Sequence, residues 1–164
     1  MGAIRVSRRA ATLADRDFLL HLRAATMKEY IQQVFGGWNA AWQRRFFEQR
    51  FQPAGVEILV VDGQDVGALQ LSRRKREIWL TNIHILPGWQ NRGIGTAVLQ
   101  EILAEADRRR VPVGLQVLKG NPARRLYERA GFRIAAQTAT HFRMRRPARR
   151  PTKTRVRDAA SSAL

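Results

Sequence analysis

The chain alternates between two hydrophobic periods, and each change of period marks an element. Residues 4–8 (IRVSR) alternate apolar and polar side chains, the two-residue repeat of a half-buried strand. Leu13, Phe18, Leu19, Leu22 and Ala25 then recur at three- and four-residue steps, which predicts an amphipathic helix over about 13–28. Thr12 and Asp15 open it as a capping box with Asp in place of the usual Glu or Gln. Gly36 and Gly37 break the pattern, Asn39 stands where it can cap a second helix to about Arg50, and Pro53 ends that helix. On it, Trp42 and Phe46 read as core.

From residue 56 the repeat becomes strand-like. Residues 56–61 (VEILVV), the turn 62–65 (DGQD) and 66–72 (VGALQLS) predict a β-hairpin. A basic turn leads into 77–86 (EIWLTNIHIL), which Pro87 closes. Ala97, Val98, Ile102, Leu103 and Ala106 mark a helix that follows Gly95 and ends near Arg110. Residues 114–118 (GLQVL) form a short buried strand. Asn121 and Pro122 start a helix that Gly131 terminates, and 132–137 with 140–144 make a last strand pair. This order predicts one α/β domain with a mixed sheet.

Composition narrows the chemistry. The 164 residues contain no Cys, which removes disulfide scaffolds, thiolate metal sites and cysteine nucleophiles. His21, His84 and His141 are far apart in sequence, so no metal is expected. No apolar stretch approaches the roughly 20 residues of a membrane span. The N-terminal MGAIRVSRRA lacks the apolar run of an export signal, so a cytoplasmic protein is expected. The net charge is +17, and residues 145–164 carry seven Lys or Arg against one Asp. That segment has no apolar period, so the reading places a domain over 1–146 and a disordered basic tail over 147–164. A nucleic-acid arm is one use of such a tail, a solvated terminus the other. No aromatic residue interleaves it as a base-stacking platform requires. The remaining +11 on residues 1–144 suits a phosphate-bearing cofactor.

The segment 85–96 (ILPGWQNRGIGT) lies between a predicted strand and a predicted helix. Gly93 and Gly95 let backbone N–H groups approach an anion, and the helix N-terminus adds a favourable dipole. It lacks the third glycine of a dinucleotide fingerprint and the Gly-Lys-Ser/Thr of a P-loop. Gln90, Gly93 and Gly95 meet the Q/R-x-x-G-x-G/A signature of the GCN5-related N-acetyltransferase (GNAT) superfamily. Residues 121–132 (NPARRLYERAGF) are similar to its second cofactor-binding helix in Asn121, Tyr127 and the closing Gly131-Phe132, though with one residue fewer between Asn and Tyr than its N-x-x-A-x-x-x-Y-x-x-x-G-F pattern. Together the two motifs resemble that superfamily over residues 4–144.

The resemblance implies a mixed, mostly antiparallel sheet, flanked by helices and splayed at its central strands, in an acetyl-CoA-dependent N-acetyltransferase. By that resemblance, the backbone of Ile85 holds the pantetheine arm, and Gln90, Asn91, Arg92, Gly93, Ile94, Gly95 and Thr96 bind the pyrophosphate. Asn121 contacts the pantetheine region, Arg124 lies near the nucleotide, and Tyr127 sits beside the sulfur and protonates the leaving thiolate. A core tyrosine is the alternative for Tyr127, and a solvated charge for Arg124. With no Cys to carry an acetyl group, direct transfer to a primary amine of a small metabolite is expected. A protein or peptide acetyltransferase and, in a different class, a basic nucleic-acid-binding protein are the alternatives. The general base stays open among Glu77, His84 and water; a two-residue period places Glu77 and His84 on opposite faces of one strand. His84 and His141 also read as satisfied sheet histidines. The acceptor region is expected among Met27, Glu29, Tyr30, Phe35, Trp38 and Trp42, with Tyr30 and Trp38 flanking the Gly-Gly break. Neither the acceptor amine nor a choice between monomer and homodimer is legible.

Overall fold

Apolar side chains on alternate strand positions have two faces to bury, and both find helices. The computed structural model of the protein describes residues 2–150. In chain order the elements are β1 (Ser7–Ala10), α1 (Arg16–Phe35), α2 (Ala40–Arg50), β2 (Val56–Val61), β3 (Gln64–Arg73) and β4 (Ile78–Ile85). There follow α3 (Ile94–Arg109), β5 (Val113–Leu118), α4 (Ala123–Arg129), β6 (Arg133–Gln137) and β7 (His141–Arg146). The strands form one seven-stranded sheet in the order β1-β2-β3-β4-β5-β7-β6. Every neighbouring pair is antiparallel except β4 and β5. Val98, Leu99 and Ile102 of α3, with Tyr127 of α4 and Phe132, cover one face in the larger core. Leu19 and Leu22 of α1 pack with Ile58, Ala68 and Phe47 on the other.

Most boundaries follow the predicted signals. Asp62 and Gly63, both with positive φ, turn the β2–β3 hairpin, and the Asn39 side chain accepts from the Trp42 N–H at 2.9 Å. Three expectations are corrected. The first strand begins at Ser7 rather than Ile4, because pairing with β2 sets its extent, while Ile4 and Val6 still pack against the core. The first helix starts from a 3-10 turn at Leu13–Asp15 and continues to Phe35. Its last two turns lack the apolar stripe but are built of helix-tolerant residues, and left-handed Gly36 stops it. Trp42 is not core: it is 49% exposed and stacks on Phe46 at 4.8 Å.

The expected tail begins close to the domain. The Arg149 N–H donates to Asp107 on α3 at 2.8 Å, beside the Arg146–Asp107 pair at 2.7 Å. The rest of the expected tail, 151–164, lies outside the described residues.

Asp15 joins β1 to α1. Its carboxylate receives both Arg9 guanidinium nitrogens, at 2.9 and 2.8 Å, and the Thr12 N–H at 2.8 Å. Arg9 above all, with Thr12, holds it down at about 2. A carboxyl lowered by folding stabilises the native state above its unfolded pKa and loses that contribution as pH falls through the folded one. The contribution is about 2 kcal/mol, lost between roughly pH 4 and pH 2. Denaturant titrations should show that acid-linked loss in the wild type and not in Asp15→Asn.

Gly67 shows how closely β3 and β4 approach. It faces Ile85 in the register, and a Cβ there would stand 3.2 Å from the Ile85 Cα and in overlap with the His84 carbonyl oxygen. Backbone cannot yield as a flexible side chain can. Gly67→Ala is therefore expected to cost about 2–3 kcal/mol, read as a lowered denaturation midpoint at unchanged slope.

Candidate active site

The sheet opens where the parallel pair ends. Strands β4 and β5 pair only through Ile78–Val113, Trp79–Gly114 and Leu80–Leu115, while β4 runs on to Ile85. On its other side β4 remains paired with β3, where the Leu86 N–H donates to the Val66 carbonyl at 2.8 Å. Hydrogen-bonded and non-hydrogen-bonded pairs alternate along an antiparallel ladder. The Leu86–Val66 bond therefore makes the Ile85–Gly67 and Ile83–Leu69 pairs the non-bonded ones. The N–H and C=O groups of Ile83 and Ile85 thus point away from β3 into the gap. One is taken: the Gln90 side chain donates to the Ile85 carbonyl at 2.9 Å, tying the following loop to the strand.

That loop turns through a 3-10 turn at Pro87–Trp89 and left-handed Asn91 and Gly93 before α3 begins. Gly93 has φ 82°, which an L side chain rarely adopts, and a Cβ there would meet nothing within 4 Å. The first helical bond runs from the Ala97 N–H to the Gly93 carbonyl at 3.0 Å. The N–H groups of Ile94, Gly95 and Thr96 have no helix carbonyl behind them. No acidic residue in this turn offsets the positive end of a 16-residue helix. A cleft of about 490 Å³ joins the gap to this turn, with α1 and α4 as its sides.

The cleft brings together Tyr30, Ile85, Gln90, Asn91, Gly93, Ile94, Gly95, Thr96 and Asn121. Asn121 is held by its own helix, accepting from the Ala123 N–H at 2.9 Å. Four predicted residues are not among its lining. Arg92 turns back over the Trp89 ring at 4.9 Å. Arg124 pairs with Glu128 at 2.8 Å and lies 4.6 Å over Phe142; Arg129, five residues on and so on another face of the helix, lines the cleft. Trp38 borders a neighbouring open hollow, and Tyr127 is set in the core.

Residues 54–134 match the family profile described as an acetyltransferase (GNAT) domain. The chain belongs to the GNAT acetyltransferases. No curated protein sequence matches it. Solved structures share its fold. PaiA N-acetyltransferase from Thermoplasma acidophilum, in complex with coenzyme A, is 13% identical with a TM-score of 0.71, over 88% of this chain and 99% of that one. An acetyltransferase from Thermus thermophilus is 21% identical with a TM-score of 0.67, over 90% and 99%. The ribosomal-protein-S18-alanine N-acetyltransferase from Escherichia coli is 20% identical with a TM-score of 0.63, over 92% and 98%.

In this GNAT domain a β-bulge decides which β4 side chains face which helices. Gln70 faces Asn82 while the next residue, Leu71, faces Leu80, so Thr81 is the extra residue. Ile78 and Leu80 before it, and Ile83 and Ile85 after it, all pack toward α3, while Asn82 and His84 turn toward α1 and α2. The expectation of Glu77 and His84 on opposite faces is thereby overturned: an added residue reverses the alternation. They remain far apart, because Glu77 lies before the strand, bound to Arg74 at 2.8 Å, roughly 20 Å along the strand from His84.

His84 lines the cleft and also a smaller cavity of about 190 Å³ between β3, β4, α1 and α2. Its ring makes no hydrogen bond among the described residues, unlike His141, whose Nδ1 lies 2.7 Å from the Thr140 hydroxyl. Burial, then the charge of Arg23, brings the His84 imidazole down to about 4, so it is neutral near pH 7. Burial also lowers the Arg23 guanidinium. Arg23, Phe47, Phe51, Gln70 and Asn82 of this cavity are not among the residues the sequence pattern singles out. Arg23 had a signal, a cation next to Leu22 and between Leu19 and Thr26 on the inward side of α1.

Proposed function

We propose that this protein moves the acetyl group of acetyl-CoA directly to a primary amine of a small metabolite, in the cytoplasm, as a monomer or homodimer. The observation that carries this reading is the opening of the sheet beyond Leu80 beside an acid-free helix N-terminus. The free N–H of Ile85 and both backbone groups of Ile83 offer an extended pantetheine chain the bonds of an added strand. The first-turn N–H groups of α3 bind the pyrophosphate. Asn121 borders the pantetheine path. Neutral His84, where cleft and cavity meet, accepts the proton the amine loses as its nitrogen bonds to the acetyl carbon. The cavity beyond His84, about 190 Å³ and walled by two helices, favours a small acceptor over a folded protein.

The test is a thiol-release assay with acetyl-CoA across amine classes, beside calorimetric titration of acetyl-CoA. Acetyl-CoA binding with acceptor-dependent thiol release is the expected result. Absence of acetyl-CoA binding would overturn the cofactor assignment, and binding with no transfer to any amine would leave a cofactor-binding protein without catalysis.

A further inference from the structure

The small cavity holds a charge that its surroundings do not answer. Arg23 shares it with Leu19, Leu22, Phe47 and Phe51 and with neutral polar groups, Gln70 and Asn82 among them, and no acidic residue lines it. Among the described residues Arg23 makes no ion pair or hydrogen bond, whereas Arg9, Arg73 and Arg146 each hold a carboxylate at 2.7–2.9 Å. Arg23 is half-buried, and a guanidinium that loses part of its hydration beside aliphatic and phenyl groups recovers that cost best from an anion. Gln43 adds a second unanswered group. It is 7% exposed, its Oε1 has no hydrogen-bond partner, and it borders the hollow on the other side of Arg23. Arg50, 4.0 Å over the Phe46 ring, places another cation at the cavity rim.

We propose that the acceptor amine carries a carboxylate that docks on Arg23, with an apolar body against Phe47 and Phe51: the substrate class is the apolar amino acids. This rests on the reading of the protein as an amine acetyltransferase. A flat guanidinium matches a carboxylate through two parallel hydrogen bonds. With the carboxylate on Arg23, the amine is directed toward His84, the residue shared with the cofactor cleft. The amine nitrogen bonds to the acetyl carbon as the carbon–sulfur bond breaks. One proton leaves nitrogen and one is taken up by sulfur, giving an N-acetyl amino acid and free CoA.

The test compares N-acetyl-L-leucine with N-acetylisoamylamine, and N-acetyl-L-phenylalanine with N-acetylphenethylamine, by calorimetric titration with CoA present. The acid of each pair should bind about 10–100-fold tighter. Arg23→Gln should bring the ratio to within about threefold and Arg23→Lys should keep part of it. Unchanged acetyl-CoA affinity shows that the variants are folded. Equal affinities in the wild type, failure of both members to bind, or a ratio that Arg23→Gln leaves intact would each overturn the proposal. Thiol release with L-leucine against isoamylamine separates it from the broader reading. Selective binding of the acid with no amine acetylated sinks the transferase reading and keeps the carboxylate site. Acetylation of both amines at equal kcat/KM keeps the transferase and removes the site.

Discussion

Gly95→Val is expected to weaken acetyl-CoA binding at least about 100-fold, a loss of about 2.7 kcal/mol, in a protein that still folds. A Cβ at Gly95 would stand 3.4 Å from Ile85 Cδ1 and 3.4 Å from Leu126 Cδ2, on the line that joins β4 to α4 across the cleft. One methyl there makes ordinary contacts, so Gly95→Ala should fold normally and lose less affinity. The two further methyls of Val add bulk beside the first-turn N–H groups, where they are expected to obstruct a bound phosphate. Gly93→Val should lose binding as well, with an added cost of about 1–2 kcal/mol because an L residue is strained at φ 82°. Thermal unfolding shows whether each variant is folded, and calorimetric titration reads the affinity. A folded Gly95→Val protein with wild-type acetyl-CoA affinity would refute the cradle.

The sequence made the cradle legible because its requirements are local. Two glycines, a preceding strand and a following helix lie within twelve residues, and each leaves a mark that one window can read. The same holds for the β2–β3 hairpin, with Asp62-Gly63 at its tip, and for the Asn39 cap. What stayed hidden depends on register between distant segments. The bulge at Thr81 reverses the faces of β4, yet nothing in EIWLTNIHIL announces it, since it exists only in the pairing with β3. It brings His84 under α1 and so gives Arg23, 61 residues earlier, a site to serve. The splay is equally non-local, for β5 leaves β4 after three residue pairs to follow β7 for six. Arg124 and Arg129 share one short helix, and the resemblance favoured Arg124. In the structure Glu128 and Phe142 hold Arg124 away from the cleft, and Arg129 lines it.

Tyr127→Phe is expected to lower kcat by roughly 10²–10⁴-fold, the range for a positioned proton donor. The Tyr127 ring packs edge-on against Phe132 at 5.8 Å and is 6% exposed. A tyrosine kept only for its bulk ordinarily satisfies its hydroxyl when buried. This hydroxyl makes no hydrogen bond among the described residues, and because the ring lies in the core rather than in the cleft lining, only a sulfur buried beside it could use the proton. Burial raises it to about 12, so it stays protonated across the working range and can only donate. An ordinary thiol titrates near 8.5, so complete transfer from such a phenol to a solvated thiolate is uphill. Its contribution is greatest while negative charge gathers on a sulfur that is buried with it. The Phe variant keeps the ring, so acetyl-CoA affinity should barely change and the loss should fall on kcat. No descending limb of the kcat profile should arise from this group below about pH 11, since the hydroxyl deprotonates only near 12. Were the hydroxyl a structural group instead, the substitution would move stability by about 1 kcal/mol and spare kcat. Measured on one variant, with any amine the enzyme accepts, the two outcomes are distinct, and wild-type turnover would remove Tyr127 from the mechanism.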